Sequence, residues 1–213
     1  MKEIFFIILS YLLGSIPFGF LITKIFARKN ILEIGWKKTS GSNVYKNVGK
    51  LEGILTGILD LGKGYLAVKI AQKFGFSPQI QALCGVSAIF GHNWSIFLKF
   101  AGGRGIGTLA GATLSLSPKI LFLSLIPTLF LVFILNSPLA TIFFLLFLAL
   151  FSSYYQIEGL FLFSLLSLLP IFIKRLSPIS DISLKDKKLI KNRLLYDQDN
   201  FVLTRIEKWI SKQ

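Results

Sequence analysis

Long apolar runs separated by short polar or glycine-rich breaks dominate the hydropathy pattern of the chain. A helix needs about 20 mostly apolar residues to cross a bilayer, and we predict six such spans. They cover approximately Ile4–Phe26, Leu51–Ile70, Ile80–Phe100, Ile120–Leu135, Leu139–Tyr154 and Ile157–Ile173. The pattern therefore predicts an all-α fold, a polytopic membrane helix bundle.

A shorter apolar segment, Ile106–Leu116, lies between the third and fourth spans. As a helix it would rise about 16 Å, roughly half the hydrocarbon thickness. It fits either a re-entrant helix or a full crossing through a protein-lined region. A full crossing gives about seven transmembrane helices, with the N-terminus outside and both basic segments in the cytoplasm, as the positive-inside rule requires. Six crossings would put the basic tail outside, so we predict seven.

Composition and charge narrow the class further. The chain is 53% hydrophobic and 16% charged, whereas soluble domains carry about 25% charged residues, which excludes a water-soluble globule. The net charge is +14, and the basic residues cluster in Arg28–Lys50 and Lys174–Lys212. Basic clusters beside spans are typical of the cytoplasmic face, next to anionic headgroups. We therefore expect membrane lipids as partners and no nucleic acid.

The basic tail differs in pattern from the spans. We divide the chain into a transmembrane domain, residues 1–175, and a basic amphipathic cytoplasmic tail, residues 176–213. In the tail, Leu184, Leu189, Ile190 and Leu194 are spaced for one helical face, and Val202–Ile210 has a second apolar face. This spacing predicts helices lying on the cytoplasmic leaflet. A solvated charged run without a role is the alternative.

Charged residues inside spans are costly and need a reason. Asp60 and Lys63 are three residues apart on one helical face, which predicts a structural polar pair. His92 is the only histidine; it is the general-base candidate, although a lone histidine more often makes structural hydrogen bonds. One histidine, one cysteine and few carboxylates predict no metal site, and we expect no cofactor.

The glycine-dense stretch Ala101–Gly107 is the strongest chemical signal. Glycines let backbone amides turn toward one point, a helix beginning at Gly105 adds its positive end, and Arg104 adds a planar donor fork. These features predict an anion cradle, and a turn with glycines for close helix packing is the alternative. A second polar cluster, Thr39–Asn43, precedes Lys46 and predicts another phosphate site.

Four groups of residues carry a resemblance to a known family. They are Gly14–Gly19, Ser42–Lys50, Leu59–Gly64 and Gly91–Thr108. In these motifs the chain resembles the bacterial acyl-phosphate:glycerol-3-phosphate acyltransferase family, over about residues 5 to 118. The resemblance implies a seven-helix enzyme of phospholipid synthesis in the cytoplasmic (inner) membrane of a bacterium. It implies acyl phosphate as donor and the 1-hydroxyl of glycerol 3-phosphate as acceptor, with lysophosphatidic acid as the product.

The motifs and the resemblance together give two sets of candidate residues. The catalytic candidates are Arg104, Ser42, Asn43 and His92. The substrate-binding candidates are Gly35, Lys37, Lys38, Lys46, Gly102, Gly103, Gly105 and Thr108.

Two departures from the family pattern keep alternatives open. The chain reads Gly35-Trp36-Lys37-Lys38 where the family has Gly-Ser-Gly-Asn, which is compatible with a different acceptor. The C-terminal Arg-His-x-x-Asn motif falls near Lys174 and Arg175 but has neither His nor Asn, which is compatible with a catalytically silent relative that binds lipid or acyl phosphate. A small transporter would need polar residues along several spans, and the last three spans are nearly devoid of charge.

Overall fold

The computed structural model describes residues 1–177 and 186–199. Ten α-helices make up most of these residues, and no strand occurs among them. The helices are α1 (Lys2–Ser15), α2 (Phe18–Ala27), α3 (Gly41–Asn47), α4 (Lys50–Lys73), α5 (Pro78–Asn93), α6 (Ile106–Leu116), α7 (Pro118–Ile134), α8 (Ser137–Tyr154), α9 (Glu158–Leu176) and α10 (Lys187–Tyr196). The all-α prediction is confirmed. The predicted tail helix at Val202–Ile210 lies outside the described residues.

Several helices are long and apolar enough for a bilayer. Lys2–Ala27, α8 and α9 meet the length and hydropathy of a membrane span, and α6 and α7 are shorter apolar helices. Large apolar side chains, among them Phe122, Phe130 and Phe133, are exposed on the outside of the bundle. This surface fits lipid better than water. The membrane helix bundle is confirmed, and the count of seven crossings stays a prediction.

The first span is broken in the middle, which hydropathy did not predict. Pro17 has no N–H and cannot continue α1, so Ile16 takes an extended conformation before α2 begins. The break leaves two carbonyls without helical partners. The Ser95 hydroxyl donates to the Ser15 carbonyl over 2.6 Å, and the Lys63 ammonium donates to the Ile16 carbonyl over 2.9 Å. The break is thus tied to two other parts of the bundle.

The third span ends earlier than predicted. Helix α5 stops at Asn93, so the helix expected through Phe100 is wrong in its last seven residues. The chain turns back instead: Lys99 and Phe100 have positive φ, and the Phe100 amide donates to the Ser95 carbonyl over 2.8 Å. This reversal folds the following glycines over the end of α5.

Close backbone approach holds α4 against α6. A Cβ added at Gly64 would lie 2.0 Å from the Thr108 carbonyl oxygen, and one at Gly111 would lie 1.8 Å from the Leu61 carbonyl oxygen. The apolar core lies around this contact, and helices α4 to α9 contribute side chains to it. Its fully buried members include Val68, Ala82, Ile89, Leu109, Ala112, Ile120, Leu148, Leu160 and Phe163.

This packing predicts opposite effects for two glycines on the same helix. Gly64→Ala should destabilise the fold by about 1–3 kcal/mol, because overpacking forces backbone shifts. Gly62→Ala has nothing within 4 Å of its new Cβ and should be neutral or stabilising by up to about 1 kcal/mol, since alanine favours helix. Thermal unfolding of both variants in the same detergent measures the difference. Equal melting temperatures would contradict the proposed packing.

Candidate active site

A buried polar network lies beneath the candidate site. Lys63 Nζ is 3.0 Å from Asp60 Oδ1, and His92 Nδ1 is 3.4 Å from the same oxygen. All three side chains are almost fully buried. The predicted Asp60–Lys63 pair is therefore present, and it extends to His92 at the end of α5 and to the Ile16 carbonyl at the helix break.

The glycine turn, which we define as residues 101–105, lies directly on His92. The Gly103 amide donates to the His92 carbonyl over 3.1 Å. A Cβ at Gly103 would lie 2.1 Å from His92 Nε2, and one at Gly102 would lie 2.3 Å from the His92 carbonyl oxygen. Close packing is therefore one reason for these two glycines. Gly105 has φ of 77° and begins α6, a conformation in which glycine is strongly favoured.

The same turn presents unused backbone donors. Among the described residues, none accepts a hydrogen bond from the amides of Gly102, Arg104 or Gly105. These donors precede the N-terminus of α6, where the helix dipole adds partial positive charge. Backbone amides inside proteins normally have partners, so three amides in five residues without an acceptor among the described residues are suited to an anionic ligand.

Arg104 is held from two sides. Its Nε donates to Asp197 Oδ2 over 2.9 Å, and its Nη2 pairs with Asp197 Oδ1. Its Nη1 donates to the Lys174 carbonyl. The side-on pair of guanidinium donors is thus taken by a carboxylate, and the opposite nitrogen by a backbone oxygen. Asp197 follows α10 and carries φ of 56°.

Lys38 meets the same carboxylate from the first loop. Its Nζ lies 3.1 Å from Asp197 Oδ2. Burial lowers the pKa of Lys38 below the usual 10.5, and the positive charge of Arg104 lowers it further, while Asp197 opposes both effects. The structure therefore brings together two predicted residues, Lys38 and Arg104, that are 66 positions apart in the sequence.

Asn43 organises the first loop. Its Nδ2 donates to the carbonyls of Ile34 and Lys38 over 3.2 and 2.8 Å, and its Oδ1 accepts from the Trp36 amide over 3.0 Å. The side chain is fully buried. Because these donors and this acceptor are used inside the loop, the geometry favours a positioning role for Asn43 over direct contact with a substrate.

The other predicted site residues are either exposed on the first loop or buried on α6. Ser42, Gly35, Lys37 and Lys46 lie on the exposed surface of the first loop. Lys46 Nζ is 5.3 Å from the centre of the Trp36 ring. Thr108 is fully buried on α6, and its hydroxyl has no partner among the described residues. Among the described residues, no hydrogen bond or ion pair joins Ser42, Lys37 or Lys46 to the glycine turn.

Sequence reasoning missed three residues around Arg104. Lys174 and Arg175 were noted only as the place where a family motif falls, yet both are buried beside the site. Lys174 Nζ lies 5.1 Å from the centre of the Trp94 ring, and Arg175 donates to the carbonyls of Leu194 and Pro138. Asp197 had no local signal other than an acidic residue after a basic helix. The described residues contain no group of three or more His, Cys, Asp or Glu suited to a metal.

These observations define the class as an all-helical membrane protein with a cluster of cationic side chains beside the glycine turn at one end of its bundle. Comparison with known proteins specifies the class. The chain belongs to the glycerol-3-phosphate acyltransferase family, whose profile matches residues 4–183. The predicted family is therefore confirmed, and with it a bacterial membrane protein.

Individual relatives and solved structures are similar to the chain over different lengths. A glycerol-3-phosphate acyltransferase of Prochlorococcus marinus (strain MIT 9312) is 44% identical over 118 residues, which is 55% of this chain and 60% of the relative. One from Enterococcus faecalis is 38% identical over 118 residues, 55% of this chain and 54% of the relative. The chain thus matches less than two thirds of the length of these relatives.

The fold likeness extends further. The glycerol 3-phosphate form of PlsY (YgiH), an integral membrane glycerol 3-phosphate acyltransferase, superposes with a TM-score of 0.76 at 26% identity, covering 84% of this chain and 91% of that one. Its lysophosphatidic acid form gives the same TM-score at 23% identity, over 99% and 100% of the two chains. At 23% identity, the second similarity is evidence for the fold alone.

The hydrogen bonds of Asn43 predict its effect on the first loop. Asn43→Asp should destabilise the protein by about 1–3 kcal/mol, because two carbonyls lose their donor and face a carboxylate oxygen. Thermal unfolding measures the loss. Ser42→Ala is the control, since Ser42 is exposed and its hydroxyl contacts only that of Ser40. A melting temperature for Asn43→Asp equal to that of Ser42→Ala would contradict this role.

Proposed function

We propose that the chain transfers an acyl group from acyl phosphate to the 1-hydroxyl of glycerol 3-phosphate and releases lysophosphatidic acid and inorganic phosphate. The observation that supports this most is the meeting of Lys38 and Arg104 at Asp197, beside three amides of the glycine turn that no described residue accepts from. Family membership and the glycerol 3-phosphate form of the similar structure make a phosphate monoester the natural ligand of this site.

The glycine turn is suited to the leaving phosphate. When the acceptor oxygen attacks the donor carbonyl carbon, the bond between that carbon and the phosphate oxygen breaks and negative charge builds on the phosphate. The free amides of Gly102, Arg104 and Gly105 and the guanidinium of Arg104 would stabilise that charge. An acyl phosphate already has a good leaving group, so the mechanism needs no covalent enzyme intermediate.

The first loop is suited to the acceptor. Lys38, held in place through its carbonyl by Asn43, would contact the phosphate of glycerol 3-phosphate, and exposed Lys37, Lys46 and Ser42 would contribute from the loop surface. Alignment of the two substrates then supplies much of the rate. The hydroxyl proton would pass to the acceptor's own phosphate, since His92 is buried beneath the turn and pairs with Asp60. His92 would position Gly103.

The membrane arrangement belongs to the same proposal. We place the site on the cytoplasmic face, because the basic first loop and the basic tail both lie there if seven spans cross the membrane. The N-terminus is then outside, and the acyl chain reaches the site laterally from lipid. The tail, residues 176–213, adds Asp197 to a site built by residues 1–175.

The decisive test is the reaction itself. The protein in detergent or lipidic mesophase, given long-chain acyl phosphate and glycerol 3-phosphate, should form lysophosphatidic acid and inorganic phosphate in equal amounts. Arg104→Ala should lower the rate about 100-fold or more, because a preorganised donor to developing charge is worth about that much. Lys69→Ala, which removes an exposed positive charge elsewhere on α4, is the control. Product and phosphate are measured together.

The outcomes separate the alternatives. Phosphate release without lysophosphatidic acid would indicate another acceptor or hydrolysis. No release from folded protein would contradict the acyltransferase and favour the silent relative.

The lowered pKa of Lys38 predicts a pH dependence. The folded-state pKa lies below 10.5, so Lys38 loses its charge at a lower pH than an ordinary lysine. If Lys38 binds the acceptor phosphate, the KM for glycerol 3-phosphate should rise on the alkaline side before pH 10.5 is reached. Lys38→Arg should remove the rise, because a guanidinium stays charged throughout. A KM in the parent protein that is flat across this range would contradict the role of Lys38.

A further inference from the structure

The contacts of Asp197 bear directly on the proposed phosphate site. A carboxylate bound side-on to an arginine and paired with a lysine has the geometry by which proteins bind phosphate. Asp197 makes both contacts at once, with Arg104 and Lys38. These are two of the cations that the proposed reaction needs for its phosphates.

Arg104 cannot bind Asp197 and a phosphate side-on at the same time. Its Nε and Nη2 are engaged by the carboxylate, and its Nη1 by the Lys174 carbonyl. A phosphate that binds side-on therefore needs Asp197 to leave. The Lys174 carbonyl is part of the last turn of α9, whereas Asp197 lies beyond the end of α10, so Asp197 is the acceptor that can move.

Helix α10 is docked by polar contacts that water or a ligand can replace. Its only buried residues, among those described, are Asn192 and Arg193. Arg175 Nη1 donates to the Leu194 carbonyl over 2.6 Å, and Arg193 Nη1 donates to the Leu176 carbonyl over 3.1 Å. The apolar side chains of α10, Leu189, Ile190, Leu194, Leu195 and Tyr196, are half-buried and none is fully buried. Releasing the helix therefore exposes part of this apolar surface, and a bound phosphate must offset that cost.

The site edge is also accessible. The side chains of Lys38, Arg104 and Asp197 are 24%, 16% and 18% exposed. A phosphate can approach the two cations without opening the core. It carries about two negative charges near neutral pH, against one for the carboxylate.

We propose that Asp197 is a built-in competitor for the phosphate site, so that the docked tail and a bound phosphate monoester exclude each other. The inference rests on the proposed function and adds regulation of the same site. Docking lowers the fraction of molecules competent to bind, and the apparent affinity for phosphate falls in proportion. Whatever draws the basic tail away from the bundle would raise the affinity.

The kinetic test compares two charge-removing variants of the full chain. Asp197→Asn keeps the left-handed conformation, which asparagine tolerates, and removes the competing charge. It should lower the KM for glycerol 3-phosphate roughly tenfold while kcat stays within about twofold, since the competent fraction rises. Asp199→Asn is the matched control: it removes the same charge two residues away, where Asp199 pairs with Arg193 and is 65% exposed. Its KM should stay near that of the parent.

A raised KM or a lowered kcat in Asp197→Asn would overturn the proposal, because the carboxylate would then be holding the cations in their working positions. An unchanged KM would overturn it too. Equal melting temperatures of parent and variants, or a correction for their difference, exclude misfolding as the cause.

A distance measurement tests docking without catalysis. Spin labels at Gln198 and Tyr45, both exposed, are placed in a Cys84→Ala background, since Cys84 is the single cysteine. Inorganic phosphate should lengthen or broaden the distance in the parent, and Asp197→Asn should show the longer distance without phosphate. If phosphate changes the distance in this way but the protein forms no lysophosphatidic acid, the proposed reaction is contradicted and competition by Asp197 is supported. A distance that phosphate leaves unchanged would contradict competition by Asp197, whether or not lysophosphatidic acid forms.

Discussion

The buried charge of Lys63 is the constraint on which the rest of the site depends. An ammonium inside an apolar bundle must be paired and hydrogen-bonded, and here it meets Asp60 and the carbonyl of Ile16. That carbonyl is available only because Pro17 interrupts the first span. Asp60 in turn pairs with His92 at the end of α5, so one network joins α4, the helix break and the platform beneath the glycine turn.

The glycine turn satisfies two demands with the same residues. Gly102 and Gly103 must lack side chains because His92 occupies the space that a Cβ would need. The same backbone leaves three amides of the turn without an acceptor in the part of the chain that the structure describes. Packing and anion binding are therefore not competing explanations for the glycines. Tight packing on a rigid base is what keeps the amides oriented, and rigid donors stabilise developing charge better than mobile ones.

The fold was predictable where local pattern decides it, and the site was predictable only in part. Helix α6 occupies Ile106–Leu116 as the apolar run predicts, and the Asp60–Lys63 pair follows from helical spacing. The break at Pro17 was visible as a proline, but its consequence depends on Lys63 reaching across from α4. The pairing of Arg104 with Asp197, 93 positions apart, depends on how the tail docks, which no local spacing encodes. Lys174 and Arg175 were not predicted as residues of the site for the same reason.

Charge balance favours a phosphate site over a static ion pair. Among the described residues, Lys38, Arg104 and Arg175 lie near the carboxylate of Asp197, and Lys174 lies near Arg104 and Lys38. Four cations near one anion leave about three positive charges uncompensated in a partly desolvated region, where electrostatic interactions are strong. A structural cluster would be closer to neutral, since unpaired buried charge is costly. The excess is tolerable if the site spends part of its time with a dianionic ligand, and both substrates of the proposed reaction carry a terminal phosphate of about that charge.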